Sequence, residues 1–239
     1  TDAMQEYLVG KKVVAIMGGH SMGRDDPNYL EVARLARALI HEGFLPTSGG
    51  GPGAMEATHL GAWFAERSDA ALEDAVAILA KAPKYTPQDK WLDAAFEVVQ
   101  KYPVTSRIRC DSLGIPTWLY GHEPPSCFAL HIAKYFANSV REEGLLAIAR
   151  YGVIFSPGSA GTIQEIFQDA TQNHYKTYGL ASPMIFFGER YWKEIKPVYP
   201  LLAELAAGKE YSQHLGITDD RRVIIEQIKT FADRVSQIV

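Results

Sequence analysis

Cysteine is scarce in this chain, with two residues, Cys110 and Cys127, among 239. Two are too few for a disulfide scaffold, and such usage points to a reducing, cytoplasmic setting. No apolar run approaches the roughly 18 residues that a membrane-spanning helix needs, so no membrane partner is expected. The opening "TDAMQEYLVG" lacks a signal-peptide pattern, and it begins on Thr1 rather than Met, as a fragment or processed form would. Basic charge is not in excess: 24 Lys and Arg stand against 28 Asp and Glu, a net charge of -4. No bulk field is available to hold a nucleic acid, and a small bound anion would need local donors. Familiar catalytic signatures are missing too. The seven histidines form neither HExxH nor a Cys–His metal set, so no metal is expected. There is no G-x-S-x-G elbow for a serine hydrolase and no lysine-bearing P-loop for ATP hydrolysis.

What the chain does have is ordinary globular material, 47% hydrophobic and 22% charged. Its apolar residues come in short runs that alternate with helical periodicity. "KKVVAIMGG" at 11–19 is a strand buried on both faces that ends in a glycine pair. A helical pattern follows at 29–42, then the short strand "FLPTS". Residues 68–100 read as a pair of amphipathic helices interrupted by "APKYTPQD". "GIPTWLYG" at 114–121 reads as a buried strand, with the aromatic "WLYGHEPP" beside it. A long helix is expected over about 128–150. "YGVIFS" and "PMIFFG" are further strands. "ERYWKEIKPVYPLLAELAAG" is helical with a break at Pro197, and "DDRRVIIEQIKTFADRV" is a closing amphipathic helix. Strand–helix alternation predicts an α/β fold, a Rossmann-like parallel sheet with helices on both faces. The whole chain, 1–239, reads as one nucleotide-binding domain with a small helical insertion at about 68–102.

Ligands of such sheets bind beyond the carboxyl ends of the strands. Three glycine-rich turns fall there, at Gly18, Gly49 and Gly158. In "TSGGGPGAMEA" the residues Gly49, Gly50, Gly51 and Gly53 lead into a helix whose free N–H groups suit a phosphate. The alternative is a tight strand-to-helix turn and nothing more. The cluster formally fits a dinucleotide fingerprint, but it follows the second strand rather than the first, which argues against NAD. In "SPGSAGTIQE" the residues Gly158, Ser159, Gly161 and Thr162 offer backbone amides and two hydroxyls. Glu165 stands one turn further on, on the same helix face as Thr162. It is either a site carboxylate held toward another part of the ligand or a helix N-terminal acid stabilised by the dipole.

In this order along the chain, "SGGGPGAMEA" and "PGSAGTIQE" resemble GGGxxGxM and PGGxGTxxE, the paired motifs of the "lonely guy" (LOG) family of phosphoribohydrolases. That family is often mislabelled as lysine decarboxylases. The resemblance covers about 11–188, and the helical insertion makes it closer to the larger bacterial branch. It implies cleavage of the N-glycosidic bond of a nucleoside 5'-monophosphate to free base and ribose 5-phosphate, without a cofactor. It also implies that Glu165 matches the second, catalytic glutamate of its motif, while Gln164 stands where the first is common and Ser159 replaces a glycine. Arg141, on the helix before this strand, matches the family's arginine. Asn138 lies one turn earlier, and Ser21 in "GGHSMG", next to Gly19, resembles a first-loop serine that touches nucleotide. Relatives form homodimers or larger assemblies, and the 128–150 helix is the expected contact.

The chemistry implied is coherent. Glycosidic cleavage develops oxocarbenium character, which a carboxylate near the ribose can stabilise. Phosphate anchoring positions the sugar for that step. Two rivals share the fold: a non-catalytic nucleotide-binding or sensing module, and a carrier for a phosphorylated cofactor such as a molybdopterin. Elsewhere, His20 and His122 sit on strand-end loops that a ligand can reach. Met55 is either the motif methionine or core. Trp118 reads as strand packing, and Glu142 with Glu143 as a solvated helix face.

Overall fold

A computed structural model describes residues 2–119, 121 and 125–238. Its centre is a parallel sheet of seven strands in the order β4-β3-β2-β1-β5-β6-β7. The strands are β1 (Lys12–Met17), β2 (Phe44–Ser48), β3 (Leu113–Gly114), β4 (His131–Ile132), β5 (Val153–Phe155), β6 (Met184–Phe186) and β7 (Leu215–Ile217). The chain builds outward from β1 to β4, returns to the other side of β1, and builds outward again from β5 to β7. The order therefore reverses between β1 and β5, and the crevice above that point is where ligands of such sheets bind.

The unbroken apolar run of β1 is explained by what covers it. Val14 and Ile16 face one core, with α2 (Pro27–His41), α3 (Ala54–Trp63), α4 (Asp69–Leu79), α5 (Gln88–Lys101) and α9 (Arg221–Ile238). Val13, Ala15 and Met17 face a second core, with α1 (Asp2–Leu8), α6 (Asn138–Ile148), α7 (Ala160–Tyr175) and α8 (Val198–Ala206). Alternate residues of one strand thus serve two layers, as a doubly covered parallel sheet requires.

Local signals account for most element ends. Asp26 caps α2 by accepting from the Asn28 amide at 2.8 Å, and Pro27 occupies the first helical position. Ser68 caps α4 in the same way, through the Ala71 amide. The break at Pro197 separates a short π-helical turn, Tyr191–Ile195, from α8.

Three expectations need correction. The helix read over 128–150 is confined to α6, because His131 and Ile132 pair with Leu113 and Gly114 as strand β4, and Thr117 pairs with Tyr135. Among the described residues, the strand read over 114–121 pairs at β3 and again at the Thr117 bridge, and Trp118 is 50% exposed with the Lys134 ammonium 3.6 Å from its ring centre, so it is not core. Strand β7 had no counterpart in the sequence reading. Tyr120 and His122, which belong to that reading, lie outside the described residues.

The β3–β4 side of the sheet is tied down by a side-chain cluster. Asp111 accepts from Tyr7 at 2.7 Å and Lys11 at 2.6 Å, and its other oxygen lies 2.8 Å from His131 Nδ1. Burial works to raise the Asp111 pKa, but these partners outweigh it and hold the carboxyl below its usual range.

Candidate functional site

The site lies where β1 and β5 release their chains. Gly18 and Gly19 follow β1, and residues 156–159 follow β5. The two turns are stitched together: the Gly19 amide donates to the Pro157 carbonyl at 3.0 Å, and the Ser156 amide to Met17 at 2.8 Å. A Cβ on Gly18 would stand 2.0 Å from Ser156 Oγ, so only glycine lets the turns meet. On the other side of the β1 loop, the Ala54 amide at the start of α3 donates to the Gly19 carbonyl at 3.2 Å.

The two glycine clusters prove unequal. Gly50, Gly51 and Gly53 are buried, and each is crowded by the protein itself. Gly53 has φ 71°, and a Cβ there would stand 2.3 Å from the Gly19 carbonyl oxygen. Gly51 would meet Met55 Cε at 2.9 Å, and Gly50 would meet Pro116 at 3.2 Å. Backbone conformation and packing account for Gly50 and Gly53, Gly51 meets only the flexible end of Met55, and the first amide of α3 is spent on the β1 loop. The N-terminus of α7 is different. Ser159 is its cap residue but makes no side-chain cap bond. Ser159 and Gly161 are exposed, and a Cβ on Gly161 would meet nothing within 4 Å. Gly158 is instead held by packing against Thr162, whose buried hydroxyl lies beneath it, and the Tyr191 hydroxyl donates to the Gly158 carbonyl at 2.5 Å. The first amides of a helix have no partner within it, so the open turn at the head of α7 is the better anion cradle.

Behind that cradle, α6 and α7 bring together a polar set around the buried Arg141, Glu142 and Glu165. Arg141 Nη1 lies 3.5 Å from Glu165 Oε1. Arg141 Nη2 donates to Asn138 Oδ1 at 2.6 Å and lies 3.7 Å from Glu142 Oε1. Asn138 Nδ2 and Gln164 Nε2 both donate to Glu142, at 2.8 and 2.7 Å. A Cβ on Gly49 would stand 3.0 Å from Arg141 Nη1, so the first cluster's leading glycine makes room for this guanidinium. Arg141 Nε is buried without a partner. Asn138, Arg141 and Glu165 are thus brought together.

Glu142 is the residue that sequence reasoning missed. It is 2% exposed rather than a solvated helix face, and only Glu143 of that pair faces solvent. The available signal was the i, i+4 spacing from Asn138, which places both on one face of α6.

Electrostatics follow from burial. Glu165 is pushed up to about 7, chiefly by desolvation, with Arg141 opposing and Glu142 adding to the rise. Burial thus favours the neutral acid, which can donate a hydrogen bond, over the carboxylate, which cannot. One turn further along α7, burial pushes Asp169 to about 8, and its Oδ2 has no partner.

Of the remaining candidates, Ser21 and His20 are exposed and border a cleft of about 390 Å3 on the α3 side of the β1 loop, with Pro52, Gly53 and the turn at 83–86. Met55 packs over Gly49 and Gly51. Hollows of about 600 and 630 Å3 open near Lys11 and Lys12, at the amino ends of the strands, away from the turns described above. Among the described residues, no group of three or more His, Cys, Asp or Glu is disposed to hold a metal ion. None of their helices is long and apolar enough to cross a membrane.

No family model matches the sequence, and no curated protein matches it significantly. Solved structures do share its fold. A molybdenum cofactor binding protein from the phototrophic bacterium Rippkaea orientalis superposes with a TM-score of 0.57 at 16% identity, covering 93% of this chain and 98% of its own. The Moco carrier protein of Chlamydomonas reinhardtii does so with 0.57 at 14% identity, covering 94% and 99%. A second structure of that carrier gives 0.55 at 14% identity. At these identities the likeness shows the Rossmann-like fold.

Proposed function

We propose that this protein binds a phosphorylated small molecule bearing a heterocycle and holds it as a carrier of a phosphorylated cofactor does. The observation that carries the reading is the uncapped, open head of α7 set directly against the buried Arg141–Glu165 pair at the sheet's reversal point. The helix amides suit phosphate oxygens, and Arg141 supplies a charge-assisted donor. Its unpartnered Nε is a buried donor in want of an acceptor. Glu165, whose pKa burial raises to about 7, can in its protonated form donate to a ligand hydroxyl or carbonyl. The structures of similar fold are named as a molybdenum cofactor binding protein and a Moco carrier protein, which favours this reading over hydrolysis.

A second reading keeps one supporting observation. Glu165 stands where the LOG motif has its catalytic glutamate, 3.5 Å from an arginine, and its ionised form would face the sugar of a nucleoside monophosphate. LOG membership and phosphoribohydrolase activity belong to this reading, supported by the two motifs.

One experiment separates them. The protein is titrated calorimetrically with AMP, GMP, a phosphorylated pterin and ribose 5-phosphate, while chromatography follows free base. Binding without base release supports the carrier. Release that disappears in Glu165→Gln, with AMP binding kept, supports the hydrolase. No binding of any phosphorylated compound refutes both. In either case Arg141→Gln should weaken AMP binding about tenfold to a hundredfold, the loss of one hydrogen bond to a charged group.

A further inference from the structure

We infer that the cleft between the β1 loop and the turn at 83–86 is the ring subsite of this ligand, taking a planar nitrogen heterocycle of purine or pterin size. The inference rests on the phosphate-binding reading above and assigns the helical insertion a role in specificity. Position is the first argument. Gly19 lies against Pro157 and Gly158 on one side and against Gly53 on the other. The phosphate cradle and the cleft are therefore neighbours across a single loop, both at the carboxyl ends of the strands.

Shape and chemistry are the second. The cleft measures about 390 Å3, within the range of small-molecule sites. Met22, Tyr85 and Trp91 give it apolar and aromatic walls. Ser21, Lys84 and Thr86 supply hydrogen-bonding groups that match the nitrogen and oxygen edge of a heterocycle. Tyr85 and Trp91 are themselves packed edge to face, with ring centres 5.0 Å apart.

The third argument is how the walls are mounted. Arg24, 1% exposed, holds Glu56 of α3 through two bonds of 2.8 and 2.6 Å. The same guanidinium donates to the Trp91 carbonyl at 2.9 Å, reaches Ala82 at 3.4 Å, and lies 4.4 Å from the Trp91 ring centre. The Arg24 amide donates to the Pro83 carbonyl at 2.9 Å. One buried ion pair thus fixes the β1 loop, α3 and the insertion to each other. Such a pair is a poor source of stability but a good source of fixed register, and here the register it fixes is that of the cleft's opposite walls. A preorganised cleft loses little on binding.

Filling the cleft tests the assignment. Thr86→Trp and Lys84→Trp alter exposed positions of the insertion turn, and unchanged melting temperatures would show that both variants fold. Each is titrated with AMP, with a phosphorylated pterin and with ribose 5-phosphate, which lacks a ring base. The expected result is at least a tenfold loss for AMP, the pterin or both, with ribose 5-phosphate within twofold of the unmodified protein. A loss for only one ring system identifies which heterocycle the cleft takes. Full affinity for both ring-bearing ligands in both variants overturns the ring subsite and leaves the phosphate cradle standing. If the unmodified protein binds none of the three, the phosphate reading itself has failed and the subsite with it.

Discussion

Glu165 and Asp169 stand one turn apart on α7, and burial raises both, to about 7 and about 8. A carboxyl whose folded pKa lies above its unfolded value stabilises the fold fully below the unfolded value, and that contribution is lost as pH rises through the folded one. The native protein therefore binds more protons than the unfolded chain between about pH 4 and pH 8. Each pKa unit corresponds to about 1.4 kcal/mol, so the pair should leave the protein a few kcal/mol less stable at pH 9 than at pH 5. Thermal melts across that range should fall steadily, and Asp169→Asn should flatten the fall by removing about 4 kcal/mol of it, roughly three pKa units between pH 5 and the folded value. A melting temperature that rises with pH, or an unaltered slope in the variant, would show that these carboxyls ionise freely in the fold. Residue positions were also where the sequence was most readable. Arg141, Asn138 and Glu165 were picked out by the resemblance to the paired motifs, and they lie together because α6 and α7 flank β5. Glu142 was harder to read: the i, i+4 spacing places it on the face of Asn138, but its hydrogen bond from Gln164 comes from another helix, which spacing within α6 does not report.

Among elements, the two glycine turns make opposite predictions. Gly53→Ala forces a side chain into a left-handed backbone and against the Gly19 carbonyl, so it should destabilise by about 2 kcal/mol or more. Gly161→Ala adds a methyl group in open space within the first turn of a helix, so stability should hold or rise by about 0.5 kcal/mol. The same methyl stands at the open cradle, and phosphate binding should weaken. Denaturant melts paired with calorimetry of the two variants check both halves. In sequence these turns looked alike, because composition records that glycine is present but not what stands opposite it. Short strands were the other blind spot. Two-residue β4 falls inside a segment whose apolar spacing suits a helix, and tertiary pairing with β3 overrides that preference. Longer β1 and β2, with caps or glycines at their ends, were legible throughout.

At the scale of the whole molecule, the helical pair α4 and α5 is an integral wall of the fold. Leu72, Ala75, Ile78, Leu79, Ala94, Ala95 and Val98 belong to the same core as β1 and α2. Arg24→Ala would strand Glu56 as an uncompensated buried charge and should destabilise the protein by about 3–5 kcal/mol, whereas replacing both partners by apolar residues should lose much less. Chemical denaturation of the single and double variants decides this, and equal losses would place the pair's importance elsewhere. The sheet itself is unevenly secured. Its β4 margin has two-residue strands and relies on Asp111 and three side chains for its grip, while the middle relies on longer amide ladders. Deuterium should consequently enter from that margin, labelling 131–135 well before 12–17. Asp111→Asn should hasten this entry about tenfold, roughly the loss of one hydrogen bond to a charged group, and leave the middle of the sheet as slow as before.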